Sequence, residues 1–574
     1  MIVLDGTALT CAEVAAIGRH LAPVEVGEAG TARATAAAHA ARAAAQRAVE
    51  TGGAVYGRTT GVGYNRGIEV ADDDQRQSGL RLLRSHAAGA GPPLAPEVGL
   101  SMLAVRANQI AAGGSGVDPG VLAVLADCVN RGFRPPALRY GAIGTGDLAA
   151  LAATGLCLLG ERDWLPPDRG GASGAQPRFA LDPADVLAFM SSNAVTLAEA
   201  AIACADLTGL LASSTVIAAL SHVAAGASAE PYAEAVQLAR AHPGQIQVGT
   251  DMRRLLAGQA GTSARVQDPY GFRALPQVHG AAIDAVGHAE RVVALELNAA
   301  AENPLIDVAG QRIWHNANFH TAYLALALDS ARAAVFQTAG LSAARLGALL
   351  DDRVTGLPAF LAMDTAPSSG LMMVEYAAHS ALADISRLAA PAVLGGAVLS
   401  VGAEEHAGFG TQAAWSATET VRAFRVVLAC ELVGAVRALR LRELRPRSTV
   451  LAQAFDLAHA VLPVSMADRP PDEDLTAASR LLAALADPPR ASPDRVLSGQ
   501  RRRPRPYRFG HHRCADGQAR QESRHGIRHV QPLVAHGAIR HYRRLGRLAV
   551  RGARASWCSD LAARRQRAGS RRHP

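Results

Sequence analysis

Lysine is missing from this sequence of 574 residues, and all 58 of its basic residues are arginine. A P-loop, a pyridoxal-phosphate Schiff base and a lysine nucleophile each require an ε-amine, which arginine does not offer. The sequence therefore excludes P-loop nucleotide chemistry and amino-acid chemistry on pyridoxal phosphate.

Cysteine is scarce and scattered: there are seven residues, an odd number, and no two of them have a C-x-x-C spacing. Disulfide frameworks and structural zinc sites need paired or closely spaced cysteines. Both are excluded on this pattern, and we expect reduced thiols and no metal site.

A basic, apolar start and long apolar runs are lacking as well. The sequence begins MIVLDGTALT, with Asp5 where a signal peptide would continue its apolar run. No uninterrupted apolar run reaches the roughly 18 residues that a membrane span requires. We therefore expect no membrane contact and a cytoplasmic location.

Aromatic residues make up only 4% of the sequence, whereas hydrophobic residues reach 49% and are dominated by alanine, leucine and valine. This composition favours close-packed helices over an all-β sandwich. Apolar residues at helical spacing in Ala/Leu-rich segments predict long helices over 279–300, 318–350, 371–390 and 422–443. Several long helices joined by short loops indicate an all-α fold with a long helical bundle.

Glycine and proline divide the sequence into three predicted parts. Residues 1–190 are punctuated by glycine-rich stretches, which predict short helices and turns around a site built from loops. Residues 191–497 contain few such breakers and form the predicted bundle domain. Residues 498–574 are rich in arginine and histidine and have almost no apolar periodicity.

The net charge of +8 is concentrated in the last part. From residue 501 onward there are 20 arginines and three acids, a charge of +17, whereas the first 500 residues carry −9. One interpretation of this tail is a disordered arm that binds nucleic acid. The other is out-of-frame translation of GC-rich DNA, which also accounts for the absence of lysine. We favour the second, and expect no nucleic-acid partner.

Several different short motifs occur in the first 490 residues. Each is a weak signal alone, because glycine-rich turns are common between helices. They are Tyr56-Gly57-Arg58-Thr59-Thr60-Gly61-Val62-Gly63, Arg84-Ser85-His86-Ala87-Ala88-Gly89, Gly141 to Ala150 (GAIGTGDLAA), Gln267-Asp268-Pro269-Tyr270-Gly271-Phe272-Arg273, and the group Asn303-Pro304-Leu305, Asn318-Phe319-His320 and Glu404-Glu405-His406. Together and in this order they resemble the histidine/aromatic amino acid ammonia-lyase family. The resemblance covers residues 3–490 and implies an aspartase/fumarase-like helical fold.

The family builds its electron sink from its own backbone. An Ala-Ser-Gly triplet cyclises and loses water to give a methylidene-imidazolone (MIO), and glycine suits this closure because its backbone is unrestricted. The matching triplet here is Gly144-Thr145-Gly146, followed by the family's Asp147. Threonine in place of serine leaves an extra methyl on the electrophilic carbon. Either a methylated analogue of MIO forms, or none forms and the chemistry is impaired.

The remaining roles follow from the resemblance, residue by residue. Tyr56 matches the base that removes the β-proton, which requires a partly ionised phenol. Arg273 matches the residue that binds the substrate carboxylate. Tyr270 matches a second tyrosine near the cofactor, and neighbours of substrate or cofactor are matched by Gln267, Asn303 and Phe319. Ser191 falls where the family has an asparagine facing the cofactor, with Asn193 two residues further on.

Two positions indicate the substrate. Ser85-His86 resembles the histidine-lyase pattern, and Glu404 falls where histidine lyases keep a carboxylate able to bond an imidazole N–H. Both favour L-histidine, with urocanate and ammonia as products, over tyrosine or phenylalanine. The alternatives are an aromatic amino acid 2,3-aminomutase, which adds ammonia back at the β-carbon, and a catalytically impaired paralogue. The family assembles as homotetramers with shared active sites, which would place Tyr56 and Arg273 in different subunits.

Overall fold

Helices make up most of the chain in the computed structural model, which describes residues 1–486 except 52, 71–74, 168–174, 260–262, 264 and 364–366. All of these described residues lie in one compact unit, Met1–Arg495. The predicted basic tail lies outside the described residues. The described helices are α1 Cys11–Gly18, α2 Glu28–Glu50, α3 Gln75–His86, α4 Pro96–Ala111, α5 Gly120–Arg131, α6 Leu148–Leu159, α7 Val186–Met190, α8 Ala194–Ala225, α9 Glu234–Leu238, α10 Pro243–Leu255, α11 Tyr270–Arg273, α12 Leu275–Leu297, α13 Ala322–Leu350, α14 Asp352–Thr355, α15 Met372–Leu388, α16 Gly410–Leu441, α17 Thr449–Val461 and α18 Asp472–Ala486.

Strands are short and pair only in twos within the described residues. β1 (Ile2–Leu4) and β2 (Val24–Val26) are parallel, with Ile2 opposite Val24. Two antiparallel pairs follow, β3 (Ala90–Pro93) with β4 (Leu138–Tyr140), and β5 (Leu305–Asp307) with β6 (Arg312–Trp314). None of the pairs forms a core layer, so the prediction of an all-α fold is confirmed.

The four long helices predicted from the sequence correspond to α12, α13, α15 and α16. Their ends differ by a few residues, except that α16 already begins at Gly410. In the N-terminal part the expectation of short helices is wrong for α2, which runs for 23 residues. Its alanine-rich sequence has a high intrinsic helix propensity, which outweighs the glycine at its start. The boundary predicted near residue 190 falls between α7 and α8 and stays a prediction.

A buried ion pair joins the central helices α8, α13 and α16. Arg345 of α13 and Glu431 of α16 are fully buried, and Nε and Nη2 of the arginine donate to the carboxylate at 2.6 and 2.8 Å. The hydroxyls of Ser221 on α8 and Ser342 on α13 donate to the same carboxylate. Each charge is thus paired and hydrogen-bonded, the condition under which burial of charge is tolerated.

Two helical stretches, Pro183–Ala225 and Ala322–Leu350, are long and apolar enough to cross a membrane by length and composition alone. In the folded chain, 72% and 56% of their most apolar windows are buried inside the protein. Burial of this kind is usual for the core helices of a bundle, and it accounts for their apolar composition.

Candidate active site

The triplet loop, residues 141–147, lies between β4 and α6 and is held by backbone and neutral side-chain groups. The carbonyl oxygen of Gly144 accepts two hydrogen bonds from Thr321, one from its backbone N–H at 3.2 Å and one from its hydroxyl at 2.8 Å. The carbonyl of Ile143 accepts from the N–H of Phe409 at 2.8 Å. Gly144 and Gly146 have φ values of +88° and +113°, which favour glycine.

Asn193 connects the triplet loop to the segment before α13. Its side-chain Oδ1 accepts a hydrogen bond from the N–H of Gly146 at 3.0 Å, and its Nδ2 donates to the carbonyl of Phe319 at 2.6 Å. These two bonds fix which end of the amide faces which partner. Asn193 is buried, so both bonds are shielded from water.

Asp147 begins α6 with a carboxylate that is wholly buried. Burial raises its pKa to about 6, although the carboxylate accepts hydrogen bonds from the N–H and the hydroxyl of Thr196 at 2.8 and 2.9 Å. Glu199, one turn further along α8, has its pKa raised to about 7 by burial, against the opposing charge of Arg139. Both carboxyl groups therefore retain protons nearer to neutral pH than usual.

A cavity of about 560 Å³ opens beside the triplet loop. The cavity brings together residues that are far apart in the sequence. Seven of the site residues predicted from the sequence line its wall: Tyr56, Thr145, Gly146, Ser191, Asn303, Phe319 and Glu404. The backbone N–H of Asn303 donates to the hydroxyl of Ser191 at 3.0 Å, which ties two of these positions together.

The phenol of Tyr56 is positioned by its own loop. Its oxygen accepts a hydrogen bond from the N–H of Gly63 at 2.8 Å, and Arg66 lines the same cavity. Arg58 is buried in an ion pair with Asp185 at 3.0 Å, which fastens the loop to the start of α7. The loop thus holds the phenol at the cavity wall.

His86 lines a second cavity of about 490 Å³, whose wall also includes Tyr56 and Glu404. Its Nδ1 lies 3.0 Å from the carbonyl oxygen of Leu82. The hydroxyl oxygen of Ser85 lies 3.1 Å from the same nitrogen, so both neighbours hold the ring from its Nδ1 side. The two cavities share several residues and adjoin each other at Tyr56 and Glu404.

Gln267, Tyr270 and Arg273 are not brought to either cavity within one chain. Gln267 and Tyr270 are exposed, and the guanidinium of Arg273 stacks on the Tyr270 ring at 4.3 Å from its centroid. The Nε of Arg273 is buried without a hydrogen-bond partner among the described residues. These three positions stay predictions, and they lie together on another part of the chain.

Two residues of this region were missed by the sequence analysis. His315 lines the larger cavity and packs edge-on against Tyr56, with ring centroids 6.4 Å apart. Thr321 directly follows the Asn318-Phe319-His320 motif and contacts Gly144. No local spacing marks either residue, because their partners lie more than a hundred residues away in the sequence.

Known proteins are similar to this chain over most of its length. The aromatic amino acid lyase family matches residues 9–460. Histidine ammonia-lyase of Geobacillus thermodenitrificans (strain NG80-2) is 33% identical over 498 residues, covering 85% of this chain and 98% of that protein. The structure of histidine ammonia-lyase from Trypanosoma cruzi superimposes with a TM-score of 0.77 at 27% identity, covering 85% and 94%. Tyrosine aminomutase from Streptomyces globisporus gives 0.77 at 25% identity, covering 84% and 97%.

A match of this length defines a carbon–nitrogen lyase of the ammonia-lyase type, and the predicted enzyme class is confirmed. The chain belongs to the aromatic amino acid lyase family.

Proposed function

We propose that this protein eliminates ammonia from L-histidine to give urocanate, using an electrophile formed from its own Gly144-Thr145-Gly146 triplet. The observation that supports this best is the single cavity whose wall includes Tyr56, Thr145 and Glu404. A base, a backbone-derived electron sink and a group that can bind imidazole are the three components that the reaction needs.

The residues of the triplet loop fit the cofactor that the family implies. Gly144 and Gly146 occupy backbone conformations open to glycine, and the Gly144 carbonyl is already polarised by two donors. The MIO group, here with an extra methyl from Thr145, supplies an electron-poor carbon that engages the substrate amine. Thr145 lines the cavity, so an electron-poor carbon formed from it would be within reach of an amino acid bound there.

Tyr56 is assigned the removal of the β-proton. The N–H of Gly63 holds its oxygen at the cavity wall, which Arg66 also lines. Ser191 accepts a hydrogen bond from the backbone N–H of Asn303 at the cavity wall, and Phe319 adds an apolar surface there.

The side chain of the substrate is assigned to Glu404 and His86. Glu404 lies on the wall of both cavities and accepts from an imidazole N–H as a carboxylate. His86 lines the adjoining cavity, whose wall also includes Glu404, and adds a second polar group for the side chain of the substrate. A phenyl side chain has no donor for either group, so histidine is favoured over phenylalanine.

The carboxylate of the substrate is assigned to Arg273 of another subunit. Within one chain, Gln267, Tyr270 and Arg273 are away from the cavity, which supports a site completed by assembly into a homotetramer. The guanidinium of Arg273 stacks on the exposed ring of Tyr270 and is a donor group suited to a carboxylate. We place this assembly in the cytoplasm.

Incubation of the purified full chain with L-histidine, L-tyrosine and L-phenylalanine tests the proposal. The expected result is release of ammonia and a rising acrylate absorbance with L-histidine, fastest among the three. Absence of any acrylate from all three substrates would contradict lyase activity, and a faster reaction with L-tyrosine would contradict the substrate assignment.

An aminomutase is the second candidate, because the tyrosine aminomutase structure superimposes as well as that of the histidine lyase. The same residues would then return ammonia to the β-carbon before product release. Chromatography of the reaction mixture separates the two: a β-amino acid supports the aminomutase, and free urocanate with ammonia supports the lyase.

A further inference from the structure

Thr321 lies in a space left open by three glycines. A Cβ on Gly144 would lie 2.4 Å from its hydroxyl oxygen, and a Cβ on Gly408 or Gly410 would lie 2.8 or 2.4 Å from it. Real Cβ contacts are not this short, so any side chain at these glycines would displace the hydroxyl. Gly144, where the family has alanine, is therefore matched to Thr321 in this chain.

The space surrounding Thr321 directs both of its donors to one acceptor. Its backbone N–H and its hydroxyl reach the Gly144 carbonyl oxygen at 3.2 and 2.8 Å, and Thr321 is only 2% exposed. Thr321 also directly precedes α13, a helix of 29 residues whose N-terminal end carries partial positive charge. Two donors in a dry site polarise a carbonyl and stabilise negative charge that develops on its oxygen.

Asn193 acts on the other end of the same triplet. Its Oδ1 holds the N–H of Gly146, and its own amide is fixed by the Phe319 carbonyl. Phe319 and Thr321 are two residues apart, so one short segment before α13 controls both ends of Gly144-Thr145-Gly146.

We propose that Thr321 and Asn193 are positioning residues for closure of the triplet into a ring, an inference that rests on the function proposed above. The nitrogen of Gly146 forms a bond to the carbonyl carbon of Gly144, whose oxygen takes up the developing negative charge. That oxygen leaves as water with the protons of the Gly146 and Thr145 nitrogens, and a C=N bond forms. The Thr145 hydroxyl leaves as a second water with the Thr145 Cα proton.

In this assignment, Thr321 makes the Gly144 carbon a better acceptor of the bond, and Asn193 fixes the orientation of the attacking nitrogen. Neither residue gains or loses atoms. Preorganised donors of this kind lower a barrier because they need no rearrangement when charge develops.

The mass of one peptide measures the closure without any assay of activity. Cleavage after Arg139 and Arg162 releases residues 140–162, which contain the whole triplet and no other arginine. We expect the wild-type peptide to lose the mass of two waters. In full-length protein newly made by cell-free synthesis and sampled over time, Thr321→Val is expected to slow this loss at least about tenfold, because one donor to the developing oxyanion is removed.

Matched variants separate this role from a structural one. Thr321→Ser keeps the hydroxyl and is expected to close at the wild-type rate. Thr338→Val, within α13, is the control, because the Thr338 hydroxyl is equally buried and has no hydrogen-bond partner among the described residues. Asn193→Leu removes the contact to Gly146 and is expected to slow closure as well.

The outcomes are distinguishable. Closure in Thr321→Val as fast as in wild type and in Thr338→Val would overturn the assignment while leaving the proposed function intact. A wild-type peptide of unmodified mass would overturn both. If Thr321→Val does not fold, as judged by circular dichroism, the comparison of Thr321→Ser and Asn193→Leu decides: equal rates for these two would contradict the proposal.

Discussion

The triplet loop and the junction of α8, α13 and α16 both bury polar groups, but they satisfy them in different ways. At the junction, opposite full charges neutralise each other, because Arg345 and Glu431 form two hydrogen bonds and two serines complete the carboxylate. At the loop, backbone groups are held by the neutral side chains of Thr321 and Asn193.

The two kinds of contact serve different purposes: the charged junction stabilises the fold, and the neutral contacts position groups for chemistry. A fully paired charge at a helix junction fixes the packing, and removing one partner leaves an uncompensated charge. Neutral contacts to a glycine-rich backbone hold a shape and leave carbonyl and amide groups reactive. We therefore expect substitutions at the cavity to change rates and substitutions at the junction to change the free energy of unfolding.

The largest expected effect is on catalysis, from Tyr56→Phe. Loss of the phenol removes the assigned base and should lower kcat by about 10²–10⁴-fold, the usual contribution of general-base catalysis. The unfolding transition should change little, since within the described part of the chain the hydroxyl loses one hydrogen bond, from Gly63. Steady-state kinetics and a thermal melt measure both, with the exposed Tyr140→Phe as control. A variant with unchanged kcat would remove Tyr56 from the mechanism.

The next effect concerns the junction, in Glu431→Ala. Arg345 then remains buried without its partner, which should reduce the free energy of unfolding by about 3–5 kcal/mol. Urea denaturation measures the loss. The control is Asp456→Ala, which breaks the exposed pair with Arg445 and should cost about 0–1 kcal/mol. Equal losses in the two variants would contradict the contrast between buried and surface pairs.

A third effect is the pH dependence of stability from Glu199. Burial raises its pKa from 4.5 to about 7 in the folded chain, against the charge of Arg139. The folded chain therefore binds more protons than the unfolded one between these values, and stability falls as pH rises through this window. Glu199→Gln should remove about 3 kcal/mol of this decrease. Unfolding midpoints measured from pH 4 to 8 that decline equally in both proteins would contradict it.

The smallest effect is on recognition, from Glu404→Gln. Replacing a charged acceptor for the imidazole by a neutral one should raise KM for L-histidine about tenfold, or ~1.4 kcal/mol. Activity toward L-tyrosine should change less. Glu405→Gln is the matched control, as Glu405 is not among the described residues lining the two cavities. A larger KM change for Glu405→Gln than for Glu404→Gln would show that Glu404 is not the carboxylate that recognises the substrate.

Local sequence pattern predicted four of the long helices, α12, α13, α15 and α16, because their apolar spacing continues along the chain, but it did not single out α8, which is as long as α16. It was less accurate for α2, whose alanine content mattered more than the nearby glycines. The motifs also identified several residues that line the larger cavity, including Tyr56, Thr145 and Glu404, because the resemblance to the family indicated that they share one site.

The sequence analysis did not predict contacts between residues that are far apart in the sequence. Thr321 bonds to a residue 177 positions away, and Arg345 to one 86 positions away. No periodicity records such a pair, and among 58 arginines nothing local marks Arg345 as buried. His315 was missed for the same reason, since only the folded chain places it beside Tyr56.

The residues that hydrogen-bond to the triplet loop lie far apart in the sequence and are therefore translated at different times. They are Asn193 before α8, Thr321 before α13 and Phe409 before α16. A nascent chain that stops before residue 409 holds the triplet but not its complete support. Maturation of the active centre would then act as a quality checkpoint, in which only a molecule with its bundle correctly assembled acquires a reactive centre, and a misfolded copy remains chemically inert.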